Sequence, residues 1–256
     1  MRILLEDLFG IDLKRQLMDP ELRIEEILYA QLKTAVERLL AGEPVQYVTG
    51  VVHFGDLLIK VSPSVLIPRP ETEEMVQRIC AALPKGRPIR IWDIGTGSGC
   101  IAIALAKHFA EAEVFAFDVS EAALATAREN AERNAAKVHF VLDDVLHPQS
   151  EIFFQPVDLV VSNPPYVCDS ERVAMEPNVL DWEPQNALFV PDEDPLLFYR
   201  QILTLAKNQL TPKGQVWFEI NERMGEEMLL LCCEMGFEAV NIKDYAEKNR
   251  FCVVSK

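Results

Sequence analysis

The segment NPPY directly follows an apolar run, Val157–Ser162, that reads as a buried strand. Asn163 offers a side-chain carbonyl as a hydrogen-bond acceptor, and Pro164 offers a backbone carbonyl whose direction the rigid Pro164-Pro165 pair restricts. Tyr166 adds a ring on which a planar group can lie. Two acceptors beside an aromatic face can bind both hydrogens of an NH2 group. The segment therefore predicts a site for an amide or an aromatic amine.

Such a site suits methyl transfer to nitrogen. The lone pair of an amide or aromatic amine is delocalised, so the nitrogen is a poor nucleophile. Acceptors that take both N–H hydrogens draw the nitrogen toward tetrahedral geometry and aim its lone pair at the methyl group. The rate gain comes from orientation and preorganised acceptors, without a strong base. The alternative is a proline-stiffened turn with no chemical role.

A glycine-rich turn lies in the segment IWDIGTGSGCIAIALA, between a predicted strand and a predicted helix. Glycine lets the backbone turn sharply and lets a ligand approach main-chain N–H groups. The spacing is G-x-G-x-G, which lacks the GK[ST] of a phosphate-binding loop and the third glycine position of the dinucleotide fingerprint. We expect the turn to bind a ligand, with a plain structural turn as the alternative. Its residues are Gly95, Thr96, Gly97, Ser98 and Gly99.

Acidic residues end the next two predicted strands. Asp118 ends VFAFD, at the distance from the glycine turn where an acid accepts the ribose hydroxyls of a nucleoside. The alternative is that Asp118 only caps the helix beginning near Glu121. Asp143 and Asp144 follow the third strand, where a carboxylate can accept from an adenine amino group. A pair of solvated loop acids is the alternative there.

A ribose-binding acid beside a turn without pyrophosphate features indicates an adenosine ligand that carries no phosphate. S-adenosylmethionine fits that description, and its cationic sulfonium is compatible with the nearby Asp93. We expect it as the methyl donor, with S-adenosylhomocysteine as the product.

The segments around these motifs alternate between apolar strands and helices. Alternation of this kind predicts an α/β fold with a parallel sheet covered by helices on both faces and an antiparallel hairpin at the end. The predicted strands are 89–94, 114–117, 138–142, 157–162, 214–220, 239–243 and 251–255, and the predicted helices are 71–83, 100–109, 121–134, 195–210 and 223–235.

Three parts are expected along the chain. Residues 1–41 carry apolar residues at helical spacing, among them Leu22 and Ile24, and Gly10 and Asp19-Pro20 divide them into two or three helices. Residues 42–70 read as a hairpin connector, and residues 71–256 as the catalytic domain. The proline-containing stretch 167–194 has the length of a functional loop, and its aromatic residues argue against disorder.

The composition narrows the class of protein. A net charge of −15 argues against direct nucleic acid binding, which uses clustered Lys and Arg. The six cysteines form no CxxC pair and no zinc spacing, as expected for buried thiols in a reducing compartment. No apolar run approaches the length of about 18 residues that a membrane helix needs. We expect a cytoplasmic, monomeric protein without a metal.

Several motifs together resemble the release-factor glutamine methyltransferases, the HemK/PrmC family. They are GTGSG, the strand-terminal Asp118, SNPPY and especially LIPRPETE at Leu66–Glu73, and GEPVQYVTG, EPQNAL and the pair Asp244 and Arg250 match as well. The resemblance runs from Gly42 to about Arg250. NPPY alone is shared with adenine-N6 and guanine-N2 methyltransferases, whereas its combination with LIPRPETE is specific.

The resemblance implies a seven-stranded, Rossmann-like class I methyltransferase domain. It implies methyl transfer from S-adenosylmethionine to the side-chain amide nitrogen (N5) of the glutamine in the GGQ motif of peptide-chain release factors. It also implies a small amino-terminal helical domain that helps to grip the release factor.

The resemblance implies residue roles too. Asn163 and Pro164 bind the glutamine amide, Tyr166 packs on it, and Pro165 completes the substrate-binding segment. The glycine turn, Asp118 and Asn163 contact the cofactor. Asp144, with its neighbour Val145, is favoured over Asp143 at the adenine.

Departures from the family pattern and three alternatives remain. The chain has FVPDEDP after EPQNAL and EINER where the family has E-I-G, and its helical region before Gly42 is shorter. Arg69 in IPRPE either touches the substrate or, as we favour, braces the connector. The alternatives are a ribosomal-protein glutamine methyltransferase, a nucleic-acid N-methyltransferase and a non-catalytic binding subunit.

Overall fold

The computed structural model of the chain describes residues 2–19, 25–84 and 86–256. Pro20, Leu22 and Ile24, on which part of the expected helical pattern depends, lie outside the described residues. The amino-terminal helices are α1 (Arg2–Phe9), α2 (Leu13–Met18), α3 (Glu26–Leu40) and α4 (Val45–Thr49). A small apolar cluster packs α1, α3 and α4 together through Leu4, Ala35 and Val48.

A hairpin connects these helices to the rest of the chain, as the connector composition predicts. Strands β1 (Val51–Phe54) and β2 (Leu57–Lys60) pair antiparallel. Helix α5 (Pro70–Ala82) follows, with Pro70 in its first turn. The fixed φ of proline and two glutamates in that turn favour a helix start at this point.

A seven-stranded sheet forms the centre of the larger part, which confirms the predicted class I fold. Its strands are β3 (Arg90–Ile94), β4 (Glu113–Asp118), β5 (His139–Leu142), β6 (Val157–Ser162), β9 (Leu210–Glu219), β10 (Glu238–Lys243) and β11 (Asn249–Ser255). The spatial order is β10-β11-β9-β6-β3-β4-β5. The strands from β9 to β5 run parallel, and β11 pairs antiparallel with both β9 and β10.

Two apolar clusters cover the two faces of this sheet. Successive residues of β3 show why, because Ile91 belongs to one cluster and Trp92 to the other. Both residues are fully buried. The remaining helices are α6 (Cys100–His108), α7 (Glu121–Arg133), α8 (Pro177–Trp182), α9 (Leu197–Gln209) and α10 (Gly225–Glu234).

The stretch 167–194 has more regular structure than its weak periodicity indicates. It contains α8, two short 3-10 helices and the strands β7 (Val167–Cys168) and β8 (Phe189–Val190), which pair parallel with each other. The stacking of the Arg172 guanidinium on the Phe189 ring, 3.6 Å from its centroid, supports this arrangement. The pairing of β7 with β8 joins residues about 20 positions apart, so it produces no local periodicity in the sequence.

Element boundaries differ from the predicted ones by a few residues. Strand β9 begins at Leu210, where a helix end was predicted, because Leu210 pairs with Val157 of β6. Among the described residues, none of the helices has the length and apolar character that crossing a membrane requires.

Candidate active site

A cleft of about 1090 Å³, counted with its opening to solvent, lies at the carboxyl ends of β3, β4 and β6. The chain runs outward from β3 through β4 and β5 and then returns to the other side of β3 as β6. Such a reversal of strand order leaves a crevice in which α/β proteins bind ligands. The predicted site residues that line the cleft are Gly95, Thr96, Gly97, Ser98, Asp118, Asp144, Val145, Asn163, Pro164 and Pro165.

Two predicted site residues, Gly99 and Tyr166, stand outside that lining. Gly99 has a φ of +82°, and a Cβ there would lie 3.0 Å from the Ala127 Cβ. Its role is therefore to let α6 pack closely against α7. By contrast, Gly97 has a φ of +53° and open space where a Cβ would stand, so its backbone is accessible to a ligand.

Asp118 is bound to the glycine turn. Its Oδ2 accepts a hydrogen bond from the Gly97 N–H at 2.8 Å, and its Oδ1 accepts one from the Ser120 N–H at 2.9 Å. The cap of α7 is Ser120, whose hydroxyl oxygen accepts from the Ala123 N–H. The helix-cap alternative for Asp118 is therefore wrong. Burial raises the pKa of Asp118, and its backbone hydrogen bonds oppose that rise.

Asp93 lies beneath the same turn and is fully buried. Its Oδ2 accepts hydrogen bonds from the Thr96 hydroxyl at 2.6 Å and from the Ala102 N–H at 3.1 Å. Its Oδ1 has no hydrogen-bond partner within the described part of the chain. Burial raises the pKa of Asp93 to about 7. The carboxyl group thus fixes the entry into α6 and keeps one free oxygen.

The two acids after β5 have different surroundings. Asp143 is buried and accepts hydrogen bonds from the Gln149 and Ser150 N–H groups, so it shapes the loop. Asp144 is half-exposed, accepts from the Leu146 N–H at 2.9 Å and lies beside the His147 ring. Both acids line the cleft.

The NPPY segment lines the opposite wall of the cleft from the end of β6. Asn163, Pro164 and Pro165 face the cleft, and the Ser162 hydroxyl anchors the strand end by donating to the Ile94 carbonyl at 2.7 Å. The half-buried Tyr166 packs against the second core cluster. Its ring therefore lies beside the cleft rather than within its lining.

A hydrogen-bonded network that the sequence did not reveal begins at this wall, where Thr72 and Asn163 both line the cleft. The Asn163 Nδ2 donates to the Thr72 hydroxyl oxygen at 3.2 Å, and the Thr72 hydroxyl donates to Glu219 Oε2 at 2.6 Å. The Tyr166 hydroxyl donates to Glu219 Oε1 at 3.2 Å. Thr72 lies in LIPRPETE and Glu219 in EINER. Their positions in these two segments could have marked them as candidate site residues.

The final Asp-Arg pair supports the same network. Arg250 donates to Asp244 Oδ2 at 3.1 Å, and both side chains are largely buried. Burial raises the pKa of Glu219, and the positive charge of the nearby Arg250 opposes that rise. Thr72 of LIPRPETE and Tyr166 of NPPY, which are far apart in the chain, thus both bind the buried carboxylate of Glu219.

The connector is fixed to the cleft at two points. Arg69 forms an ion pair with the buried Glu183, which also accepts from the Ile67 N–H at 3.0 Å, so Arg69 braces the connector as we expected. Asn130 of α7 donates to the carbonyls of Lys60 and Ser98, both at 2.9 Å. Asn130 thereby bonds the hairpin to the glycine turn, and no sequence motif had marked it.

Comparisons with known proteins agree with this geometry. A family model described as the PrmC N-terminal domain matches residues 1–50, and one described as the methyltransferase small domain matches residues 75–179. The release factor glutamine methyltransferase of Bacteroides thetaiotaomicron is 43% identical over 251 residues, which are 98% of this chain and 89% of that protein. The Flavobacterium psychrophilum protein of the same name is 43% identical over 229 residues, covering 88% and 80%.

Solved structures show the same fold at lower identity. A ribosomal protein L11 methylase from Lactobacillus delbrueckii subsp. bulgaricus superposes with a TM-score of 0.56 at 18% identity, covering 80% of this chain and 98% of that one. The fold, the motif-lined cleft and the near full-length similarity to named relatives lead to one assignment. The chain belongs to the release factor glutamine methyltransferases, a family of enzymes that use S-adenosylmethionine as methyl donor.

Proposed function

We propose that this enzyme transfers one methyl group to the side-chain amide nitrogen (N5) of the glutamine in the GGQ motif of peptide-chain release factors. The relatives state this substrate class in their names, and the chain aligns with them along most of its length. The observation that carries the proposal is that Gly95–Ser98 of the glycine turn and Asn163–Pro165 of the NPPY segment line a single cleft. Cofactor and amide can therefore meet there.

The residues on the cofactor side fit an adenosyl group. Open space stands where Cβ atoms of Gly95 and Gly97 would lie, so a ligand can approach this backbone. The Asp118 carboxylate retains lone pairs for two ribose hydroxyls, and Asp144 offers an acceptor to the adenine amino group beside Val145. When bound, S-adenosylmethionine supplies an electrophilic methyl group on a cationic sulfonium.

On the substrate side, the acceptors hold and orient the amide. Asn163 Oδ1 and the Pro164 carbonyl accept the two N–H hydrogens of the glutamine, and Pro165 and Tyr166 bound the site laterally. Held in this way, the nitrogen lone pair would take up the methyl group that S-adenosylmethionine would supply, with the sulfur leaving as the thioether of S-adenosylhomocysteine. One N–H proton of the cationic product would then pass to solvent through the open side of the cleft. These residues act by orientation and preorganised dipoles.

The other parts of the chain serve the protein substrate in this proposal. The amino-terminal helical domain, residues 1–41, grips the release factor, the connector at 42–70 places it, and residues 71–256 carry the chemistry. We propose a monomer that acts in the cytoplasm, where peptide-chain release factors work. The charge of −15 favours a protein partner over direct nucleic acid contact.

Mass spectrometry of a recombinant bacterial release factor, incubated with the enzyme and S-adenosylmethionine, tests the proposal. We expect a gain of one methyl group on the GGQ glutamine and none on a matched release factor whose glutamine is replaced by alanine. Methylation of a ribosomal protein or of nucleic acid, with none on the release factor, would discard the substrate and keep the NPPY chemistry.

A further inference from the structure

We propose that Thr72 and Glu219 are positioning residues that set the orientation of the Asn163 amide, so that its oxygen faces the substrate. The inference deepens the proposed function and rests on it, since it concerns the acceptor that binds the glutamine. It assigns to Thr72 and Glu219 a task that they perform through Asn163.

The two ends of an asparagine amide have nearly the same shape. Only their hydrogen-bond partners decide which end, carbonyl or NH2, points in a given direction. The amide Nδ2 of Asn163 lies 3.2 Å from the hydroxyl oxygen of Thr72, and both residues line the cleft. A hydroxyl both donates and accepts, so Thr72 alone could bind either end of the amide.

Glu219 removes that ambiguity. Its Oε2 lies 2.6 Å from the Thr72 hydroxyl oxygen, and an ionised carboxylate can only accept. The single hydroxyl hydrogen of Thr72 is therefore used on Glu219. The Thr72 oxygen can then only accept from Asn163, which places the NH2 group at Thr72 and the Oδ1 toward the cleft.

Both oxygens of Glu219 accept hydrogen bonds, because the Tyr166 hydroxyl donates to the other oxygen at 3.2 Å. Burial raises the pKa of Glu219, and the hydrogen bond from Thr72 and the positive charge of Arg250 oppose that rise. The Glu219 side chain is buried, with 1% of its surface exposed, so water does not compete for these bonds. One carboxylate thus holds both flanks of the NPPY segment.

The orientation matters because the substrate amide nitrogen carries two hydrogens. A flipped Asn163 would present its own NH2 group to that nitrogen, and the acceptor would be replaced by a repelling donor. The cofactor side of the cleft would be unchanged. The expected defect is therefore in turnover, with little change in cofactor affinity.

Glu219→Gln is the isosteric test, because the NH2 group of the new glutamine can donate to the Thr72 hydroxyl. The Thr72 hydroxyl can then donate to Asn163, which reverses the direction of both hydrogen bonds. We expect kcat on the release factor to fall about 100-fold, the scale for loss of one preorganised hydrogen bond at a reacting group. Thr72→Val should show a similar loss and Thr72→Ser should retain activity. The Kd for S-adenosylhomocysteine should stay within about twofold of wild type in all three, as set by the unchanged glycine turn.

A second threonine–carboxylate pair at the other end of β9 provides the matched control. The Thr211 hydroxyl donates to Asp158 Oδ1 at 3.0 Å, far along the strand from the cleft. Thr211→Val and Asp158→Asn should leave kcat unchanged. A loss of kcat in these controls equal to that in Thr72→Val and Glu219→Gln would assign the effect to general stability and overturn the inference.

Hydrogen exchange of the Asn163 side-chain amide, followed by NMR, tests the inference without any turnover. We expect slow exchange in the wild type and faster exchange in Thr72→Val, with the Asn163 resonance identified by its loss in Asn163→Asp. Equal exchange in both proteins would overturn the inference. This measurement tests the inference even if the wild type methylates no release factor. A normal kcat in Glu219→Gln would overturn the positioning role of Thr72 and Glu219 and leave the proposed function unaffected.

Discussion

The Gly97 N–H and Asp118 Oδ2 lie 2.8 Å apart, so the glycine turn after β3 and the acid that ends β4 form one unit. A ligand that binds Asp118 therefore meets a turn that the same carboxylate already holds in place. Binding needs little rearrangement of the chain, which reduces its entropic cost.

Asp118→Ala should weaken cofactor binding before it affects anything else. The change removes the ribose acceptor and also releases the Gly97 N–H. Loss of charge-assisted hydrogen bonds of this kind corresponds to roughly a 10- to 100-fold increase in Kd. Titration calorimetry with S-adenosylhomocysteine measures it, with Asp56→Ala at the hairpin turn as the control. An unchanged Kd in a folded Asp118→Ala protein would count against the ribose role.

Asn163→Ala should abolish most methylation and keep cofactor binding. The truncation removes an acceptor of the substrate amide and leaves the glycine turn intact. We expect kcat to fall by about 100-fold or more, measured by mass spectrometry of the release factor, with Kd for S-adenosylhomocysteine near that of the wild type. Substantial residual turnover would contradict the assignment of Asn163 as an amide acceptor.

Gly99→Ala should destabilise the fold. The new Cβ would lie 3.0 Å from the Ala127 Cβ, on a residue whose φ is +82°. Gly236→Ala is the matched control, because Gly236 has a φ of +80° with nothing within 4 Å of the added atom. Both changes carry the backbone cost of about 1 kcal/mol, and Gly99→Ala adds an overpacking cost of about 1–3 kcal/mol. Urea denaturation of both variants measures the difference, and equal destabilisation would refute the packing role.

Arg69→Met should lower the free energy of unfolding by about 3 kcal/mol, because it leaves the buried Glu183 carboxylate without its cation. The double variant Arg69→Met with Glu183→Gln should recover part of that loss. Arg200→Met, which breaks the exposed pair with Asp194, should change stability by less than about 1 kcal/mol. Urea denaturation ranks the variants, and a cost for Arg69→Met no larger than for Arg200→Met would contradict the bracing role.

The stability of the cofactor-free enzyme should fall with rising pH through Asp93. Burial raises the pKa of Asp93 from 3.8 to about 7, so between these values the folded state holds a proton that the unfolded state has lost. The free energy of unfolding therefore falls by up to about 1.4 kcal/mol per pH unit in that window. Asp93→Asn removes this contribution, so its stability relative to wild type should rise toward pH 7 and then level off. Parallel pH profiles of the two proteins would contradict the assignment.

Much of the fold was predictable because strands and helices of a parallel sheet each leave a local pattern. Ile91 and Trp92 face two different cores, so β3 appears in the sequence as a short, mostly apolar run between polar segments. The location of the site followed from the carboxyl ends of predicted strands, where Asp118 and Asn163 stand. Both residues lie at the cleft, as expected.

The hydrogen bonds of the network at the NPPY segment were not predictable, because they join segments far apart in the chain. Thr72 and Glu219 are separated by 147 positions, and nothing local marks one as the partner of the other. Asn130 is a similar case, since its two carbonyl acceptors come from the hairpin and from the glycine turn. Local composition also failed at 167–194, where β7 and β8 depend on each other for their pairing.

The bond from Asn130 to Lys60 and Ser98 bears on how this family can be recombined. The hairpin stands before the catalytic domain in the sequence, yet it is part of the support of the cofactor turn. A chimera that joins the recognition helices of one relative to the catalytic core of another should therefore exchange the chain ahead of β1, near Thr49. A junction at residue 70 would replace the native hairpin with that of another relative, and Asn130 would lose its native hydrogen-bond partner at Lys60.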